Sequence, residues 1–140
     1  MIISRKLNRY FFPSLLPLIL LILLGCEEPF AGHELLGKWK LVRMNWESTS
    51  DSLGPVPEET HLIWEFKASG DFTFLYTEND EIWADVEGTW STKEGILTIT
   101  FDDGEESTYE YLITVDTLRL TRTTESYGTT HVFISEHERQ

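Results

Sequence analysis

An all-β domain, folded as an antiparallel up-and-down barrel of eight strands, is predicted by three observations. Apolar and polar residues alternate with a period of two over most of residues 37–135, turn signals separate the runs, and no proline follows Pro57. Alternation over short runs marks strands with one buried face, whereas an amphipathic helix repeats its apolar residues every three or four positions. Proline cannot donate to a sheet ladder, so a proline-free stretch suits strands whose N–H groups are all paired.

The first strand spans 37–46. A long connection, 47–60, follows and is rich in Ser, Thr, Glu and Pro. A loop of this size is usually functional or solvated, so it reads either as a lid over one end or as an insertion into solvent. In the second strand, 61–68, Leu62, Trp64 and Phe66 share a face against His61, Glu65 and Lys67, with Ile63 out of pattern. Ser69-Gly70-Asp71 makes a turn, and the next run places Phe72, Phe74 and Tyr76 together. After Asn79-Asp80, the run 82–92 sets Val86, Gly88 and Trp90 against Asp85, Glu87, Thr89 and Ser91.

Lys93-Glu94-Gly95 and Asp102-Asp103-Gly104-Glu105 are hairpin signals on either side of the strand 96–101. The run 109–115 carries Tyr109, Tyr111, Ile113 and Val115 on one face, and Asp116-Thr117 leads into 118–122. The last strand is expected over 129–135, with a polar tail beyond it. Hairpin-length connections favour a meander closed into a barrel, which removes its own edges, over the alternative of a β-sandwich.

The N-terminus has another character. Arg5, Lys6 and Arg9 precede an apolar stretch over 15–24, and Leu23-Leu24-Gly25-Cys26 closes it. A basic segment, a short greasy segment and a small residue describe an export signal. Pro13 and Pro17 weaken a spanning helix, which needs about 20 apolar residues in a row. The pattern resembles a bacterial lipoprotein precursor, which implies cleavage before Cys26 and lipid attachment to its thiol. The expected organisation is a signal peptide over 1–25, a tether over 26–34 and a barrel domain over 35–136. Cys26 is the only cysteine, so no internal disulfide forms. Glu27 and Glu28 after it look like acidic sorting signals and favour the outer membrane or cell surface of a bacterial envelope.

The barrel motifs carry a second resemblance. Leu36-Gly37-Lys38-Trp39-Lys40-Leu41, then Trp64-Glu65-Phe66 with Gly70-Asp71-Phe72, then Gly88-Thr89-Trp90, are similar to the lipocalin-like domains of bacterial lipoproteins. Leu97-Thr98-Ile99 and Leu118-Arg119-Leu120 fit the same pattern. The resemblance implies a calycin-type eight-stranded barrel, with Trp39 as a structural plug near its closed end. It speaks to fold far more than to activity.

Function classes narrow accordingly. With 11 Lys and Arg against 24 Asp and Glu, the chain carries a formal charge of −13, and removing 1–25 deepens it. Phosphate binding depends on clustered cations, so nucleic acid is not expected as a partner. The four histidines, His33, His61, His131 and His137, show no metal-ligand spacing, and His137 falls in the polar tail. The acidic turn 102–106 lacks the spaced ligands of a calcium loop. No nucleophile elbow or glycine-rich phosphate loop occurs. Neither a catalytic residue, a metal nor a cofactor is expected. Trp64, Phe66, Phe74, Tyr76, Trp90, Tyr109 and Tyr111 fall on faces that can turn inward, and such rings either fill a barrel or line a pocket for a small hydrophobic or amphipathic ligand. The alternative is a solid-cored adaptor binding an unspecified envelope protein through the Ile63 and Leu75 face or the 47–60 loop.

Overall fold

Alternation becomes a ladder that closes on itself. The computed structural model describes residues 32–45 and 47–140. The signal segment, Cys26 and Trp46 lie outside the described residues. Nine strands follow in order: β1 (Gly37–Met44), β2 (Gly54–Pro55), β3 (Thr60–Phe66), β4 (Asp71–Glu78), β5 (Glu81–Lys93), β6 (Ile96–Phe101), β7 (Glu106–Thr114), β8 (Thr117–Ser126) and β9 (Thr129–Arg139). From β3 to β9 each pairs antiparallel with the next. β1 takes β3 along one edge and β9 along the other, which closes eight strands into a barrel. A sandwich would leave β1 and β9 unpaired. β2 is a two-residue bridge onto Arg43 and Met44.

The turns explain the tight connections. Asn79 and Asp80 both take positive φ, 50° and 63°, the geometry of a two-residue hairpin whose twist matches its strands. Val115, expected on an inner face, instead sits in the β7–β8 turn at φ 53° and is exposed. A register shift between Tyr76 and Thr77 at the start of β5 leaves Ile82 and Trp83 on the outside.

Two ends of the chain were misjudged from the sequence. β1 stops at Met44, and β9 runs on to Arg139 rather than ending at Ser135. The polar tail is a strand because Glu136 and Glu138 point their charge outward while Ser135 and His137 alternate with them. Of the tether expected over 26–34, the described residues Gly32–Glu34 already pack on the barrel. Gly32 packs against Trp90 and Thr92, and His33–Leu35 forms a 3-10 turn that buries Leu35 completely.

That turn stoppers one end. Trp39 lies fully buried behind it, and its Nε1 donates to the Leu35 carbonyl at 2.7 Å. The Arg139 guanidinium lies 4.1 Å over the Trp39 ring and donates to the carbonyls of Leu36 and Glu34 at 2.8 and 2.9 Å. Phe66, Phe72, Trp90, Leu97, Ile99, Leu118 and Leu120 complete the core. Each such side chain contributes about 1.5–3 kcal/mol on burial, so stability concentrates at this closed end. Among the described residues, all ladder partners and core residues lie between Leu35 and Arg139, so the barrel closes and packs on itself.

Gly88 marks the closest approach of two strands: a Cβ there would overlap the Thr100 carbonyl oxygen, with Phe101 Cα 3.1 Å away. Both obstacles are backbone and cannot swing aside. Gly88→Ala should therefore lower unfolding stability by about 1–3 kcal/mol, as overpacking does, measured by urea denaturation. An unchanged midpoint would show that β5 and β6 can separate without cost.

Candidate functional site

The half of the interior away from the plug is hollow. A cavity of about 510 Å³ opens there, within the usual range of small-molecule sites. β1 contributes Leu41 and Met44; β3 contributes Leu62 and Trp64; β4 contributes Tyr76 and Glu78. Tyr109 of β7 and Leu120 of β8 form the far wall, and Phe133, Ser135 and His137 of β9 complete it. Val56 and Pro57 of the long connection border the mouth. Apolar side chains dominate, with a few polar groups among them.

The seven aromatic residues singled out from the sequence separate into two groups. Trp64, Tyr76 and Tyr109 line the cavity. Phe66 and Trp90 are buried in the closed half, where Trp90 Nε1 donates to the Lys67 carbonyl at 3.0 Å. Phe74 packs edge-on to Trp64 with centroids 6.0 Å apart and belongs to the core. Tyr111 also packs against the core, and its hydroxyl donates to Glu34 Oε1 at 3.0 Å, at the plug and not the mouth. Desolvation, then Glu34, raise its pKa. Tyr76 is raised by desolvation and by Glu78, whose carboxylate accepts its hydroxyl at 3.2 Å. Large rings thus fill one half and line the other.

Several residues of the site escaped the sequence reading. Asn45 is buried, and its amide N–H groups are shared among the carbonyls of Glu47, Ser50 and Val132, while its Oδ1 accepts the Ile134 N–H at 2.8 Å. Ser48 Oγ meets His131 Nδ1 at 2.7 Å, and the Val132 N–H donates to the Ser48 carbonyl at 2.7 Å. The connection 47–60 is therefore fastened to β9 and is not a free lid, although most of its residues stay exposed. Ile63 and Leu75 face each other across β3 and β4, half-buried.

His137, placed in the tail from the sequence, is 1% exposed and forms part of the cavity wall. Its ring lies 5.3 Å from that of Trp64, and its Nε2 is 3.0 Å from Ser135 Oγ. His137 Nδ1 and Trp64 Nε1 have no hydrogen-bond partner. The signal that could have found it was the continued alternation of Ser135, Glu136, His137 and Glu138. Among the described residues no group of three or more His, Cys, Asp or Glu side chains could hold a metal ion.

A closed antiparallel barrel, plugged at one end and hollow at the other, is the architecture of lipocalin-type binding proteins. The chain belongs to the lipocalin-like domain family, whose match covers residues 35–120. Among solved structures it is similar to an uncharacterized protein from Bacteroides eggerthii, at 17% identity over 71% of this chain and 98% of that one, with a TM-score of 0.49. A lipocalin-like protein from Bacteroides uniformis matches at 19% identity over 71% and 96%, with a TM-score of 0.49. Apocrustacyanin C2 matches at 12% identity over 76% and 61%, with a TM-score of 0.50. At these identities the likeness speaks for the fold alone. No curated protein matches the chain.

Burial pushes the His137 imidazole down from its ordinary 6.5 to about 3. The unfolded chain then takes up a proton near pH 6.5, and the folded one only near pH 3. The associated stability is whole above the upper value and drains as pH falls toward the lower, by up to about 1.4 kcal/mol per pH unit. Unfolding free energies of wild type and His137→Phe, measured by urea denaturation across that window, should diverge in slope, with the variant less acid-sensitive. Parallel slopes would show that the folded protein accommodates a charged His137.

Proposed function

We propose that this protein is a lipid-anchored binding protein of the bacterial envelope that carries a small hydrophobic or amphipathic molecule in its barrel. The observation that carries the binding half of this reading is the cavity of about 510 Å³, apolar over most of its wall and set beside a fully packed plug. Apolar pockets with a few fixed polar groups are the usual form of a small-molecule site. Membership of the lipocalin-like family supports binding rather than catalysis. The motif ending at Cys26 supports the anchor. Stable attachment takes about two acyl chains, and a lipoprotein cysteine of this type carries enough.

The binding test uses soluble residues 27–140 with Nile red, a neutral dye that brightens in apolar surroundings. Saturable binding is expected, and Leu62→Trp, which fills the cavity from β3, should weaken it at least about tenfold, the equivalent of about 1.4 kcal/mol. An unchanged affinity in a variant that melts like wild type would place the dye elsewhere and remove the cavity reading.

The anchor is tested separately. Full-length protein expressed in a bacterial host should sediment with membranes, and Cys26→Ser should pass into the soluble fraction. Membrane recovery of the variant at wild-type levels would refute lipid attachment at that residue.

A further inference from the structure

One corner of the cavity wall breaks the apolar pattern. There β3 and β9 bring the rings of Trp64 and His137 to 5.3 Å, and Ser135 Oγ stands 3.0 Å from His137 Nε2. Trp64 Nε1 and His137 Nδ1 are shut off from water, yet no protein group pairs with either. A buried polar atom without a partner costs about 1–3 kcal/mol, and native folds keep few of them. Two such atoms on neighbouring rings of the cavity wall are a cost that a ligand atom can relieve if the rings turn toward it.

The charge in the wall narrows the chemistry. Among the described residues that line the cavity, Glu78 and His137 are the only ionisable acid and base besides the tyrosines, and none is a lysine or arginine. Burial keeps His137 neutral. An anionic headgroup would meet a carboxylate and no cation, inside a chain of formal charge −13. Leaving water without a countercharge makes burial of an ion costly.

Resting on the binding reading above, we propose that Trp64, Ser135 and His137 recognise one uncharged oxygen function, a carbonyl or a hydroxyl, on an otherwise apolar ligand, and that the site discriminates against carboxylates. The indole N–H is a donor only, so a ligand oxygen accepts from it. The hydroxyl of Ser135 decides what His137 offers. If it donates to Nε2, the ring proton sits on Nδ1 and a carbonyl receives two donors. If it accepts from Nε2, Nδ1 is an acceptor and a ligand hydroxyl is favoured. Neither Trp64 Nε1 nor His137 Nδ1 presents surface to the cavity, so both rings must turn to meet the ligand.

The experiment compares four probes of similar length, methyl undecyl ketone, dodecanol, tridecane and laurate, as competitors of Nile red on residues 27–140 at neutral pH. The ketone or the alcohol should bind about tenfold more tightly than tridecane, the factor that one well-made hydrogen bond gives. Laurate should bind more weakly than the better of the two. His137→Phe should bring ketone, alcohol and alkane level with one another. Should that variant not fold, wild-type protein still decides: the Trp64 indole N–H resonance should move to lower field with the oxygen-bearing probe and stay with tridecane. Equal affinity for the oxygenated probes and the alkane, or a preference for laurate, would overturn the proposal and leave the cavity as a binding site. Failure of all four probes to displace the dye would overturn the cavity reading as well.

Discussion

The seam between β1 and β9 is the constraint on which the rest depends. Trp39 opposes Arg139, Leu41 opposes His137 and Met44 opposes Ser135, with a register shift between Leu41 and Arg43. Without this ladder the sheet has two free edges and no interior. The seam also carries the groups that define both ends. Arg139 at its lower end lies on Trp39 and ties the plug, and Asn45 just past its upper end ties the mouth. His137 stands between them in the wall of the cavity. The residues that close the barrel are thus the same ones that divide it.

That division has a simple origin in side-chain volume. An eight-stranded barrel is just wide enough for side chains to fill or for one small ligand to occupy. Near the plug, the facing positions hold Trp39, Phe66, Phe72 and Trp90, and nothing is left over. Toward the mouth, the inward positions pass to Leu62, Leu41 and Leu120 beside Trp64, Tyr76 and Tyr109, and the smaller side chains leave a void. The plug half supplies the stability that allows the other half to remain unfilled. A cavity in the wall of a core without such a plug would be a liability of several kcal/mol.

Much of this was legible because a period of two is a strong signal when hairpin turns interrupt it. Alternation found the barrel, and the inward faces of β3, β4 and β5 came out as read: Trp64 with Phe66, Phe72 with Phe74, Gly88 with Trp90. The division of the rings between core and cavity was not legible, since Phe74 and Tyr76 look alike in a pattern and differ only in height along the strand. β9 was cut short because Glu136, Glu138 and Arg139 read as a charged tail. A strand at a barrel seam buries one face only, so its outward charges mask the alternation. Trp39 was legible as the plug through the family resemblance, whereas Asn45 and the turn His33–Leu35 were missed for a different reason. Their roles depend on contacts with residues tens of positions away, and no local pattern reports them.

Access to the cavity follows from which segments are tied down. The connection 47–60 was the natural candidate for a moving cover, yet β2 pairs with β1, the Val56 N–H donates to the Val42 carbonyl at 3.0 Å, and Asn45 and His131 hold its first turn. Releasing it would break several part-buried hydrogen bonds at once, so it acts as fixed wall. The neighbouring hairpin, whose Asn79 N–H donates to the Glu59 carbonyl at 3.2 Å, is built differently. The β4–β5 hairpin turns on Asn79 and Asp80 and carries Ile82 at 68% and Trp83 at 64% exposure, just past the register shift that loosens its pairing. Exposed apolar groups beside an apolar mouth lower the cost for a greasy molecule leaving water, because it finds partial cover before it is enclosed.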